Sequence, residues 1–241
     1  MPAERYFLDA TFQVDEPYEL TAAEFHHLSH VMRDKVGDTI ELINGKGCLA
    51  TGVITRITKD KAIVIIEKFT QEEPIKPKLI LAQAIPKQNR LETIIEKGTE
   101  LGVDEFWLFP GSSSLKKNLF PQQIERMLAI TIAAIKQCGR LFLPTIHVLP
   151  SLEQWEKFSS LSFFGDLSAQ ATPFHQAAKE MHKMQYPIIF ITGPESGFST
   201  AEVDTLYRLG SIGVILHHNT LRTDTAAIAG LSILNYLYFL T

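Results

Sequence analysis

The hydrophobic period of the chain changes at Gln71-Glu72-Glu73-Pro74-Ile75-Lys76-Pro77, and that change limits the folds open to it. Ahead of this segment, short runs of strand character cover Thr39 to Ile43, Leu49 to Thr58 and Ala62 to Glu67. They are separated by the turns Asn44-Gly45-Lys46-Gly47 and Lys59-Asp60-Lys61. Thr21-x-x-Glu24 has the form of a capping box, and Phe25, Leu28 and Met32 give the helix that follows one apolar face. Antiparallel strands at such spacing suggest a compact barrel. Two prolines within four residues suit neither a helix nor a central strand. The chain is thus expected to hold a small β domain at 1–70, a linker at 71–78 and a second domain at 79–241.

In the second domain, short apolar runs alternate with helical spacing. Leu79 to Ala84, Phe106 to Phe109, Phe163 to Leu167, Ile188 to Thr192 and Ile212 to Leu216 read as strands. Leu91, Ile94, Ile95, Gly98 and Leu101 mark one helix, and Pro121 opens another with Gly139 as its stop. Ser199-x-x-Glu202 caps a helix between the last two strands. Such alternation implies an α/β domain with a mostly parallel sheet.

Composition removes several classes of function. Hydrophobic residues make up 45% and charged residues 21%, enough apolar material for a packed core. The net charge of -4 is not that of a strongly basic nucleic-acid binder. It is uneven, however: residues 71–143 carry 10 basic and 8 acidic side chains, while both flanking segments are net acidic. A local basic track with a low overall charge predicts weak binding to free RNA and dependence on a shaped substrate. Cys48 and Cys138 show neither disulfide nor zinc-finger spacing, so a reducing, cytoplasmic setting is the simplest reading. No basic region followed by an apolar stretch opens the chain, and the apolar segment Ile228 to Leu240, interrupted by Gly230, Ser232 and Asn235, is too short to span a bilayer comfortably. No membrane partner is expected.

Ligands of parallel sheets bind where strands end. One such loop is Thr192-Gly193-Pro194-Glu195-Ser196-Gly197-Phe198, which is neither a GxGxxG fingerprint nor a P-loop. Another is His217-His218-Asn219-Thr220-Leu221-Arg222-Thr223-Asp224-Thr225-Ala226-Ala227, leading into the last helix. Thr223, Asp224 and Thr225 can either cap that helix or bind a polar ligand. Arg222 is a planar cation at a helix start, where a neutral cap would serve a purely structural need. His26 and His30 share a helix face at i, i+4, but lack a third convergent ligand, so no metal is expected. Lys116-Lys117 reads as an exposed loop pair, and Tyr236, Tyr238 and Phe239 as core or dimer contacts.

These loops carry a family resemblance. Gly193-Pro194-Glu195-Ser196-Gly197-Phe198 resembles the GPEGGF signature, and Leu221-Arg222-Thr223-Asp224-Thr225-Ala226 the LRxETA signature, of the RsmE-type ribosomal RNA methyltransferases of the SPOUT class. Further matches are His26-His27-Leu28 through Val31-Met32-Arg33, Gly37-Asp38, Asn44-Gly45-Lys46-Gly47, Lys87 and Arg90 with Glu100-Leu101-Gly102-Val103, and Gln137-Cys138-Gly139-Arg140 with Pro144. Ordered motifs over nearly the whole chain are far more specific than any one of them.

The resemblance implies a PUA-like N-terminal β-barrel and a SPOUT α/β domain with a deep trefoil knot. It implies S-adenosylmethionine as cofactor, a homodimer, and N3 methylation of a uridine in 16S ribosomal RNA within an assembled or partly assembled small subunit. By position it assigns catalysis to Arg222. Cofactor binding falls to Leu167, Gly193, Pro194, Glu195, Gly197, Leu216, Leu221, Thr223, Asp224, Thr225 and Ala226, and RNA binding to Arg5, Arg33, Lys87, Arg90 and Arg140. Departures from the family pattern fall at Ser114-Leu115, Ala133, His217, Asn219 and Asp224. They motivate two alternatives: a catalytically weakened RNA-binding or ribosome-assembly factor on this fold, or a SPOUT enzyme with another RNA target.

Overall fold

A computed structural model describes residues 5–75, 77–114, 117–168, 170–178 and 187–239 of the chain. Leu115 and Lys116 lie outside the described residues, as do the side chains of Tyr238 and Phe239. The chain divides into two compact units, Met1–Pro74 with Ile132–Leu143, and Ile75–Thr131 with Pro144–Thr241.

In the N-terminal unit, β1 (Arg5–Phe7), β2 (Pro17–Thr21), β3 (Thr39–Ile43), β4 (Cys48–Ile57) and β5 (Lys61–Gln71) form one sheet in the order β1-β3-β4-β5-β2. β1 runs parallel to β3 and the other pairs are antiparallel. Spacing predicts β3, β4 and β5 but not the two edge strands, β1, which has three residues, and β2, of which only Leu20 is buried. Register shifts at Thr51/Gly52 and Ile54/Arg56 bend β4 against β5, as bulges do. Alternating residues Cys48, Ala50 and Ile54 face a core shared with Tyr6, Leu20, Leu42, Val64 and Ile66.

The capping box expected at Thr21-x-x-Glu24 does not form. α1 (Ala22–His26), which continues as π-helical turns over His27–Met32, begins with Ala22 at φ 48°, and the Thr21 side chain makes no cap bond. Both Glu24 oxygens accept instead from Lys136 Nζ, at 2.8 and 2.9 Å, and one accepts from the Phe7 N–H. The apolar face also ends early, because Met32 is exposed. The His26 and His30 rings stack at 4.6 Å, and no group of three or more His, Cys, Asp or Glu among the described residues could hold a metal ion.

The C-terminal unit is a seven-stranded sheet, all of whose pairs are parallel. Its strands are β6 (Leu79–Ala84), β7 (Glu105–Phe109), β8 (Thr145–Val148), β9 (Leu161–Gly165), β10 (Thr172–Pro173), β11 (Ile188–Thr192) and β12 (Ile212–Ile215), in the order β10-β12-β9-β11-β6-β7-β8. β6 and β11 are buried at every position, as central parallel strands covered on both faces must be. On one face Leu79, Leu81, Ile188 and Phe190 pack against Leu91 and Ile95 of α2 (Gln88–Glu100) and Ala227 and Leu231 of the last α-helix. On the other, Ile80, Ile189 and Ile191 pack with Leu206.

Two further helices follow their local signals. α3 (Pro121–Cys138) starts at its proline and stops at Gly139, φ 87°. α4 (Phe174–Ala177) is a single turn, and α5 (Thr200–Arg208) carries the capping box, Ser199 and Glu202 satisfying each other's backbone N–H. α6 (Thr223–Leu234) lies so close to β11 that a Cβ on Gly230 would fall 2.1 Å from the Phe190 ring. No helix among the described residues is long and apolar enough to cross a membrane.

Candidate cofactor and catalytic site

The carboxyl ends of β9, β11 and β12 enclose a cavity of about 330 Å³ in the C-terminal unit. Three segments line it: Gly165 to Ser168 after β9, Thr192 to Phe198 after β11, and Leu216 to Ala226 between β12 and the first turn of α6. Of the expected cofactor residues, Leu167, Gly193, Pro194, Glu195, Gly197, Leu216, Leu221, Thr223 and Ala226 line the cavity. Asp224 and Thr225 lie in the first turn of α6 without lining it.

Each wall has a local cause. Pro194 to Gly197 is a tight turn closed by the Gly197 N–H on the Pro194 carbonyl at 2.9 Å, and Gly197 takes φ 75°, which a side chain would resist. Gly193 packs against the backbone of Gly197 and Phe198, where an added Cβ would sit 3.2 Å from both. Arg222 is the N-cap residue of α6, with φ -68° and ψ 156°; its carbonyl receives the Ala226 N–H, and it does not itself line the cavity.

Gln83, which no sequence motif had marked, joins these walls from beneath. It is fully buried at the end of β6, and its Nε2 donates to the Gly193 carbonyl at 3.1 Å and to Thr223 Oγ1 at 3.0 Å. Its Oε1 accepts from the Thr192 hydroxyl, and Thr223 Oγ1 in turn donates to the Gly193 carbonyl at 2.6 Å. The signal was present as a lone polar residue in the run Leu79-Ile80-Leu81-Ala82-Gln83-Ala84. A buried amide in such a run must find partners.

Asp166 forms part of the β9 wall and accepts from the Ser168 N–H at 2.9 Å, the Ser168 hydroxyl at 2.8 Å and the Tyr207 hydroxyl at 2.8 Å. Burial opposes its ionisation, but these donors prevail and hold its carboxyl below the usual range. Burial and the Asp166 charge push the Tyr207 phenol up. Glu202 stands in the same balance: burial raises its pKa, and bonds from Ser112 and Ser199 outweigh that and lower it. Through Ser112, at 2.8 and 2.5 Å, Glu202 ties the loop after β7 to the start of α5.

The basic residues fall into different environments. Arg222 is exposed and makes no side-chain hydrogen bond or ion pair among the described residues. Arg90, expected at RNA, instead pairs with Asp224 at 2.7 Å and Glu195 at 3.5 Å. The Lys87 backbone N–H donates to the same Glu195 carboxylate at 2.9 Å, and the residue is exposed. The Arg5 guanidinium is occupied by Glu41 at 2.9 Å and the Gly139 carbonyl at 2.6 Å. Arg33 is exposed and Arg140 half-buried, both in the N-terminal unit.

Among the described residues, the departures at Ser114, His217, Asn219 and Asp224 are locally accommodated. His217 lines the cavity but does not adopt the left-handed backbone that demands glycine. Its Nδ1 accepts the Asn219 N–H at 3.0 Å, and its ring lies against His218 at 4.0 Å. Ser114 is buried and its hydroxyl accepts the Gly111 N–H, while Lys117 Nζ donates to the Gly111 and Ser112 carbonyls. Asp224 keeps the charge of the glutamate it replaces and pairs with Arg90.

The chain that builds this parallel sheet and edge cavity is an RNA methyltransferase: residues 71–235 match the RNA methyltransferase domain family, and 20–67 match the RNA methyltransferase PUA domain. More narrowly, the chain belongs to the family of ribosomal RNA small subunit methyltransferase E. The Bacillus subtilis protein of that name is 30% identical over 251 residues, covering 97% of this chain and 96% of the relative. A Legionella pneumophila methyltransferase solved with the bound cofactor SAM superposes with TM-score 0.87 at 27% identity, over 98% of both chains. The Neisseria gonorrhoeae ribosomal RNA small subunit methyltransferase E gives TM-score 0.86 at 24% identity, again over 98% of both, and shows the shared fold.

Proposed function

We propose that this chain transfers a methyl group from S-adenosylmethionine to N3 of a specific uridine in 16S ribosomal RNA. The observation that carries this reading is the convergence of the β9 end, the Gly193–Phe198 turn and the start of α6 on one cavity of about 330 Å³. That volume lies in the range of small-ligand sites, about 300–1,000 Å³. Its residues suit the cofactor: Leu167, Leu216 and Leu221 supply apolar walls for a flat base, and the backbone of Gly193 to Gly197 and the α6 start supplies polar partners. When bound, S-adenosylmethionine supplies an electrophilic methyl group on a sulfonium centre. The relatives' names and the SAM-bound Legionella structure support the same assignment.

The acceptor explains the free cation. Uracil N3 carries a proton, and negative charge develops on the base as that proton leaves. To Arg222, exposed, unpaired among the described residues and at a helix N-terminus, we assign the stabilisation of that charge. Holding the base and the cavity contents in line supplies the remaining acceleration. No covalent nucleophile is required, and neither Cys48 nor Cys138 lines the cavity.

The reading assigns residues 1–70 to RNA binding, 71–78 to a linker and 79–241 to methyl transfer, with Arg33, Lys87 and Arg140 as RNA contacts. Those contacts work through phosphate charge and RNA shape. It includes a cytoplasmic homodimer acting on an assembled or partly assembled small subunit; exposed Tyr236 and Leu167 offer apolar surface to a second copy. Calorimetric titration with S-adenosylmethionine tests the reading. Saturable binding supports it, whereas no detectable binding favours a fold-sharing RNA-binding or assembly factor.

A further inference from the structure

The residue that most needs a role is Arg90. Family position places it at RNA, yet its guanidinium faces two carboxylates from two different segments, Glu195 on the cavity wall and Asp224 in the first turn of α6. Asp224 Oδ1 lies 2.7 Å from Nη1 and belongs to the first turn of α6. Glu195 Oε1 lies 3.5 Å from Nε and belongs to the Gly193–Phe198 turn. The three side chains are only 21%, 24% and 29% exposed, so the charges are partly withdrawn from solvent screening. Glu195 is also fixed by the Lys87 N–H at the head of α2.

Gln83 grips the same two segments one step further in, through Gly193 and Thr223. The two loops are therefore joined twice: by a buried neutral amide at 193 and 223, and by a partly exposed cation at 195 and 224. A guanidinium with several donors in one plane is suited to bridging two acids. Two negative charges brought together on separate loops would otherwise repel.

We propose that Arg90 is a positioning residue that latches the Glu195 turn to the Asp224 end of α6 and so sets the spacing of the cofactor cavity. Its contribution is to the population of the binding-competent cavity. If the competent fraction falls, apparent affinity falls by the same factor, while bound ligand restores the arrangement. The effect therefore appears in cofactor affinity more than in turnover at saturation. This inference rests on the methyltransferase reading above.

The test is calorimetric affinity for S-adenosylmethionine in the full-length protein, with steady-state methylation of unmodified small subunits beside it. Arg90→Met is expected to weaken S-adenosylmethionine about tenfold, with kcat at saturating cofactor held within about threefold. Arg90→Lys, a point charge without the planar fork, restores only part of the affinity. Asp224→Asn weakens binding in the same direction, and the Arg90→Met/Asp224→Asn double variant is less weakened than the product of the two single effects. Unchanged cofactor affinity in Arg90→Met, with a raised KM for the small subunit, overturns the latch and returns Arg90 to RNA contact. Multiplicative effects in the double variant also overturn it. Wild-type protein that binds no S-adenosylmethionine overturns the functional reading and the latch together.

Discussion

Replacing Gln83 by leucine tests whether the buried amide node holds the cavity together. The substitution keeps a side chain of similar length at a fully buried position, so no large cavity term enters. It removes the bonds to the Gly193 carbonyl and Thr223 Oγ1, and it removes the acceptor of the Thr192 hydroxyl. The Gly193 carbonyl keeps its bond from Thr223, so its loss is partial. The Thr192 hydroxyl, on a residue 2% exposed, loses its side-chain acceptor. An unsatisfied buried donor costs about 1–3 kcal/mol and an ordinary hydrogen bond about 1 kcal/mol, so a loss of about 3 kcal/mol follows. For a unit of this size that corresponds to a drop in Tm of about 6–12 °C. Both tryptophans, Trp107 and Trp155, lie in the C-terminal unit, so tryptophan fluorescence during a thermal melt reports on it directly. S-adenosylmethionine affinity should fall with it. A Tm within 2 °C of wild type at unchanged affinity would refute the node's role.

Three other outcomes follow from single observations. Gly230→Ala places a methyl inside the Phe190 ring contact, and overpacking should cost about 1–3 kcal/mol or more, visible as a lower Tm in the same melt; an unchanged Tm would show that α6 shifts freely on β11. His217→Gly should leave S-adenosylmethionine affinity within about threefold, because the ring's polar and stacking partners are Asn219 and His218 of its own loop; a change beyond tenfold in calorimetry would mean the ring blocks or builds the site. Asp166 and Glu202 have depressed folded pKa values, so their stabilisation is complete above their ordinary values of 3.8 and 4.5 and is lost as pH falls through the lower folded values. Fluorescence-detected Tm should drop steeply below pH 4.5, less steeply in Asp166→Asn, and equal slopes would deny Asp166 this role.

What the sequence revealed depended on whether the determining partner was near in the chain. Ser199 and Glu202 formed their capping box because both halves lie within one turn. The same pattern at Thr21 and Glu24 failed because Lys136, 112 residues away, takes the carboxylate. β4 announced itself by alternation and β6 by its apolar run, whereas β1 and β10 are too short for a period to register, β2 buries only Leu20 and β8 buries no side chain fully. Motif resemblance located the two cavity loops, since their glycine and turn chemistry is local. It could not reveal that Arg90 faces two acids, because composition counts a charge and not its partner. Gln83 was visible only as an anomaly, and three of its four partners lie 109 to 140 residues away.

Methyl transfer to uridine N3 directed by Arg222 is the central proposal for this protein. Its most direct test is mass-spectrometric mapping of N3-methyluridine in 16S ribosomal RNA from cells lacking the protein and from the same cells carrying wild-type or Arg222→Ala protein. Deletion should remove one N3-methyluridine, wild type should restore it, and Arg222→Ala should restore almost none. In vitro its transfer rate should fall by about 10²–10³, with cofactor affinity nearly intact. An unchanged N3-methyluridine profile on deletion, or full restoration by Arg222→Ala, would contradict the account.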